Sequence, residues 1–228
     1  LAELRVPRHI GSERATYILR LLVALFRLWC SPSITIPVIS NISFSAAAEA
    51  PDNAVQLIPL EVEPRYFPLE APEGRLITID RLEFVRDHWQ SADFLMRENA
   101  DFERAIHVLD QGQFMRFSDV ALVSLWGAIE LLFSPSPAEL RFRVSALLAA
   151  YLEGAGEARL ILQKEIVKLY DARSAAAHGR PDFDTNGLLD TFELLRRVII
   201  KIINDGHVPS KDELESRLFG DSWEKVLN

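Results

Sequence analysis

The sequence predicts a mainly α protein: an antiparallel helical bundle with a small N-terminal α/β appendage. Three observations carry that class. From Asp80 onward, apolar residues recur at helical spacing, with cap and stop residues between the runs. The segment Ser118–Phe133 is apolar nearly all round, as a helix at the centre of a bundle is. Before Asp80, β-branched runs and Pro51, Pro59, Pro64, Pro68 and Pro72 replace that pattern. The expected division is therefore residues 1–79, a mixed lead-in that reads as the tail of a larger N-terminal domain, and residues 80–228, the helical domain.

Each element has its own justification. Residues 13–29 form an amphipathic helix; Arg20 and Arg27 interrupt its apolar run, which is too short to span a bilayer. Residues 33–39 are rich in Ile, Thr and Val and read as a strand, placed at an edge by Pro37. Residues 55–58 and 75–79 are two further strand candidates. Asp80 is placed as the N-cap of a helix reaching about residue 99, and Asp101 starts the next, to about 114. Ser118 caps the central helix, and Pro135 and Pro137 separate it from a helix ending near Glu153. Gly154 and Gly156 make a turn. Two long helices follow, one ending at His178 and one over residues 184–204 with Gly206 as its stop. Ser210 with Glu213 reads as a capping box opening a short last helix.

Composition narrows the function classes. The chain has 228 residues, and half of it is hydrophobic, which is enough for a real core. Its formal charge of −8 argues against a general nucleic-acid coat protein, because phosphate binding needs clustered positive charge. Charge is unevenly spread, however. Residues 141–180 hold seven basic and four acidic residues, whereas residues 31–80 hold two basic and seven acidic. Cys30 is the only cysteine, so no internal disulfide and no cysteine-based zinc site can form; a reducing, cytoplasmic setting is expected. The five histidines are scattered without ligand spacing, and no glycine-rich phosphate loop occurs, so neither a metal nor a cofactor is expected. The chain starts at Leu1 rather than methionine, which reads as a fragment or processed product lacking upstream residues.

The chemistry-bearing segment is Tyr170-Asp171-Ala172-Arg173-Ser174-Ala175-Ala176-Ala177-His178-Gly179, within the locally basic stretch. Histidine exchanges protons near neutral pH, and arginine grips two phosphate oxygens at once. Five residues set the two side chains about 140° apart around an ideal helix. They converge where the helix ends between them, as Gly179 favours, or where a second chain completes the site. The plainer reading is that basic residues at a helix C-terminus are favoured by the dipole. Arg81 and His88 match the same loose spacing and are read as a chance pair.

The order of three segments resembles the Apea-like branch of the HEPN family. Leu125-Trp126-Gly127-Ala128-Ile129-Glu130-Leu131-Leu132 is similar to the family's core helix, and Arg141-Phe142-Arg143-Val144-Ser145-Ala146-Leu147-Leu148 to the helix after it. The segment from Tyr170 to Gly179 is similar to the motif helix, whose hallmark is arginine, four to six residues, then histidine. The resemblance runs from about residue 118 to 204, and residues 10–45 resemble the branch's lead-in. Ser174 follows the motif arginine where many members carry Asn, Asp or His.

The resemblance implies a metal-independent endoribonuclease acting through 2′-hydroxyl attack, in anti-phage defence or as a toxin. It implies a homodimer whose composite site pairs Arg173 and His178 of both chains. Expected partners are RNA, tRNA among the candidates, and an antitoxin or regulatory domain; no membrane is expected. His178 is the candidate base or acid, and Arg173 the group that stabilises the phosphorane. Glu130 either orients Arg173 or is a plain buried ion pair. Ser174 and Tyr170 are supporting residues, Tyr170 being more often core than a base-stacking platform. Lys164 and Lys168 are candidate RNA contacts or simply solvated surface. The alternative is a non-catalytic HEPN module for dimerisation or RNA binding in a larger protein.

Overall fold

The computed structural model describes residues 3–62, 77–133, 139–177 and 185–220. These residues are mainly helical, with one small antiparallel sheet. They fall into two compact units. One comprises the described residues up to 62 with 77–89; the other comprises those from 90 onward.

The first unit begins with helix α1 (Ser12–Trp29). Its buried positions include Leu21, Val23, Leu25 and Leu28, and Arg27 is buried with them. A buried guanidinium needs partners. Arg27 Nε donates to the Ile34 carbonyl at 2.7 Å, and its terminal nitrogen pairs with Glu61. The same Glu61 oxygen accepts the Ile36 amide at 2.7 Å. One ion pair thus ties the end of α1 to the chain entering strand β1 (Val38–Ser40) and to the chain leaving β2 (Leu57–Pro59). The strands pair antiparallel, with Val38 opposite Pro59, Ile39 opposite Ile58 and Ser40 opposite Leu57. Pro37 has no amide hydrogen to give, yet its carbonyl accepts from Leu60 at 3.1 Å. A short helix α2 (Phe44–Ala47) lies between the strands, with Ser43 as its N-cap.

The first predicted strand is shorter than expected, and the third is not formed where it is described. Residues 77–78 are irregular, and Ile79 already begins helix α3 (Ile79–Glu98), so Asp80 lies in the first turn and is not the cap. Residues 75–76 lie outside the described residues. Trp29 stacks on Phe84 at 3.5 Å, and Phe84 on His88 at 4.0 Å. Arg81 donates to the Cys30 carbonyl at 3.1 Å, and His88 Nδ1 lies 2.9 Å from the Phe84 carbonyl. Both members of the second Arg/His pair are therefore engaged in holding this unit together.

The second unit is built from the remaining helices. Asn99, rather than Asp101, caps α4 (Ala100–Gln111) by accepting the Phe102 amide at 2.9 Å. Helix α5 (Ser118–Phe133) touches α4, α6 (Leu140–Leu152), α7 (Glu157–Ala177) and α8 (Thr185–Asp205), which makes it central. Trp126, Ile129 and Phe133 of α5 are fully buried, with Leu148, Tyr151, Ile166 and Leu195 from its neighbours. One side of α5 remains open at Val120 and Leu131. Gly206, at φ 72°, ends α8. Ser210 caps α9 (Lys211–Phe219) by accepting the Glu213 amide at 3.2 Å. No helix among the described residues is long and apolar enough to cross a membrane.

Candidate functional site

Successive turns of α5 and α7 meet as rungs. Trp126 meets the edge of Tyr170, with ring centroids 5.0 Å apart. One turn further on, Glu130 meets Arg173 at 3.4 Å. Rising numbers on one helix face rising numbers on the other, so α5 and α7 run in the same direction. That direction follows from α6, which returns between them along the sequence. The C-terminal turns of α5 and α7 and the first turn of α6 therefore share one end of the bundle.

The Glu130–Arg173 pair is partly buried, with side chains 19% and 25% exposed. At 3.4 Å it is a loose contact. Glu130 Oε1 and Arg173 Nε are both buried and have no hydrogen-bond partner among the described residues; neither has the Trp126 indole nitrogen one turn below. Buried polar groups are nearly always satisfied, so three orphaned atoms in one cluster mark an unusual place. The Arg173 guanidinium also lies 5.6 Å from the centre of the Tyr170 ring, within cation–π range. Burial, then the negative charge of Glu130, raises Tyr170 above its ordinary value, while Arg173 opposes them. The phenol therefore stays protonated near neutral pH.

A groove of about 690 Å³ opens beside this cluster. Glu139, Arg141 and Phe142 line it from the start of α6, and Tyr170, Asp171 and Ser174 from α7. Arg141 clamps Asp171 with two hydrogen bonds of 2.7 Å, which hold the Asp171 carboxyl below its usual value. This clamp pins α6 to α7 at the mouth of the groove. Neither residue was singled out from the sequence: 30 positions separate them, and no local spacing signals the pair.

The structure thus brings Glu130, Tyr170, Arg173 and Ser174 to one end of the bundle. His178 lies outside the described residues. Lys164 and Lys168 are exposed on α7 but are not gathered around Arg173. Helical geometry sets them about 180° and 140° around the axis from it. They lie instead on the side of Asp171, within about 20° and 60° of its direction. Among the described residues no group of His, Cys, Asp and Glu side chains could hold a metal ion.

No protein-family model, curated protein or solved structure matches the chain.

Proposed function

We propose that the protein is a HEPN-type endoribonuclease that cleaves RNA through attack of its own 2′-hydroxyl. The observation that supports this most is the unsatisfied cluster at Arg173. Its guanidinium is held between Glu130 and Tyr170, with Nε left over. With 25% of the side chain still exposed, the terminal nitrogens can take up the charge that develops on a phosphorane, while Nε stays buried. Glu130 positions the guanidinium from the rigid central helix. His178 exchanges the proton with the 2′-hydroxyl or the departing 5′-oxygen, its mate from a second chain doing the other half. The bond formed joins the 2′-oxygen to phosphorus, and the bond broken is phosphorus to the 5′-oxygen. The products carry a 2′,3′-cyclic phosphate and a 5′-hydroxyl. DNA lacks the nucleophile and resists. A role in anti-phage defence or as a toxin, with an antitoxin or regulatory domain as partner, belongs to the same reading.

A second reading is a non-catalytic dimerisation or RNA-binding module. The net charge of −8 and the neutralisation of Arg173 by Glu130 favour it.

The test is incubation of the protein with total RNA and tRNA in EDTA, beside the Arg173→Ala/His178→Ala double variant. Cleavage by the native protein alone, leaving cyclic-phosphate ends, is the expected result. No cleavage, or equal cleavage by both proteins, overturns catalysis at this motif. RNA binding without cleavage moves the assignment to the module.

A further inference from the structure

The groove beside Arg173 has a chemistry of its own. Phe142 stands on its lip with 62% of its surface exposed. Nothing in the packing of α6 requires this, since residues Val144 to Tyr151 of the same helix are all buried. The groove's cation is already engaged, because Arg141 is clamped to Asp171. What remains is the Glu139 carboxylate, for which no hydrogen bond occurs among the described residues, and the Ser174 hydroxyl.

Glu139 is also the one non-glycine residue with positive φ among those described, at φ 55° and ψ 36°. A left-handed conformation is unfavourable for a residue with a side chain, and such strain gathers at ligand sites. Its carbonyl accepts the Phe142 and Arg143 amides at 3.1 and 3.0 Å, which fixes the turn as the start of α6.

An open aromatic face beside a lone acceptor carboxylate does not suit a phosphate. It suits a flat group bearing N–H donors. Among unpaired bases, guanine offers a carboxylate two adjacent donors on one edge, its ring N–H and its amino group. Uracil and adenine offer one each. A paired base has its donors occupied and its faces covered, so only single-stranded RNA presents this group. Lys168 and Lys164 continue on the same side of α7 as Asp171, about 4.5 and 10.5 Å along the helix axis from it. They are placed to meet the backbone of a strand whose base enters the groove.

We infer that this groove is the subsite for one unpaired guanine of the RNA substrate, stacked on Phe142 and held at its donor edge by Glu139. The inference rests on the ribonuclease reading for its ligand. It adds to that reading a substrate class, single-stranded RNA with guanine next to the scissile phosphate.

The experiment measures binding separately from cleavage. Fluorescence anisotropy is recorded with the full chain and labelled heptamers of 2′-O-methyl uridine that carry G, A or U at the centre. The 2′-O-methyl group removes the nucleophile. The central-G oligomer is expected to bind at least about fivefold more tightly than the others. Phe142→Ala is expected to weaken it by about 5- to 100-fold, and Phe142→Trp to restore it. Glu139→Gln is expected to abolish the preference for G over A while leaving the affinity for A. Circular dichroism melts establish that the variants are folded.

Equal binding of the three oligomers, or unchanged binding by Phe142→Ala, overturns the subsite. So does a change of oligomeric state in Phe142→Ala with RNA binding intact, which assigns Phe142 to a protein interface. Guanine-dependent binding with no cleavage of unmodified RNA leaves the subsite standing and removes the catalytic reading. Arg173-dependent cleavage that ignores Phe142 does the reverse.

Discussion

Arg173 on α7 stands 3.4 Å from Glu130 on α5, one turn beyond the edge-on contact of Tyr170 with Trp126. The two helices cannot slide past one another without breaking both rungs. Residues that orient the guanidinium are therefore built into the core packing of the bundle, whereas the groove that borders it is open to solvent. This separates variants that alter geometry from those that alter charge.

Arg173→Lys keeps the positive charge against Glu130 but loses the planar fork. Its stability in urea is expected to stay within about 1 kcal/mol of the native protein, because a partner for the carboxylate remains. If the chain cleaves RNA as proposed, that cleavage is expected to fall by about 100-fold or more. Equal loss of stability and activity would mark Arg173 as a structural ion-pair partner.

Tyr170→Phe removes the phenol oxygen beside the Glu130 carboxylate and keeps the ring against Trp126. The expected loss of stability is about 1 kcal/mol. Tyr170→Ala also leaves a cavity under the pair and is expected to cost about 3–5 kcal/mol. Chemical denaturation of the two variants measures both, and a Phe variant as unstable as the Ala variant would place the value of Tyr170 in its hydroxyl.

How much of this was legible in the sequence differs between the two units. Helices α3 to α9 follow from periodicity and caps, because a bundle helix repeats its buried face every turn and its ends need side-chain partners. Ser210 is the cap the sequence predicts, whereas the cap of α4 is Asn99, two residues before the expected Asp101. The Ile77-Thr78-Ile79 run misleads because β-branched residues suit a strand and are tolerated in the lead-in and first turn of a helix. The pairing of Glu130 with Arg173 is one of the two roles expected for Glu130 through the family resemblance. The clamp of Arg141 on Asp171, and the groove it borders, had none, since both arise from which turn of α6 meets which turn of α7.

Gly127 sits in the middle of α5, and a Cβ placed on it meets no atom within 4 Å. Glycine weakens a helix interior through the freedom it loses on folding. Gly127→Ala is therefore expected to raise stability by about 0.5–1 kcal/mol. If the proposed dimer uses the open side of α5, then Gly127→Leu lowers the dimer population in sedimentation while leaving the monomer folded. An unstable Ala variant would show that this side is covered by the protein itself.

The docking of α9 carries a pH dependence whose sign follows from one pair. His207 Nε2 lies 2.8 Å from Glu213, and His207 Nδ1 lies 3.1 Å from the Asp205 carbonyl. Around them, Arg217 pairs with Glu213, Lys201 pairs with Asp205, and Tyr151 donates to Asp205. The hydrogen bond to Glu213, then that to Asp205, raises His207 above its ordinary value; burial pushes Glu213 up, but the hydrogen bonds and charges of His207 and Arg217 together outweigh it and hold Glu213 below its own. A raised histidine contributes stability that is complete below its unfolded value of about 6.5 and lost as pH rises through the folded one. A lowered carboxyl contributes stability that is complete above about 4.5 and lost as pH falls through its folded value. Amide-exchange protection of α9, relative to α5, is therefore expected to be greatest between about pH 4.5 and 6.5 and to decline on either side. His207→Gln removes the decline above pH 6.5 and keeps the one at low pH. Because His207 is half exposed, raised salt is expected to shrink the whole effect. Protection of α9 that stays level from pH 6 to 9 would mean that Arg217 and Tyr151, which keep their protons throughout that range, rather than His207, hold this helix to the bundle.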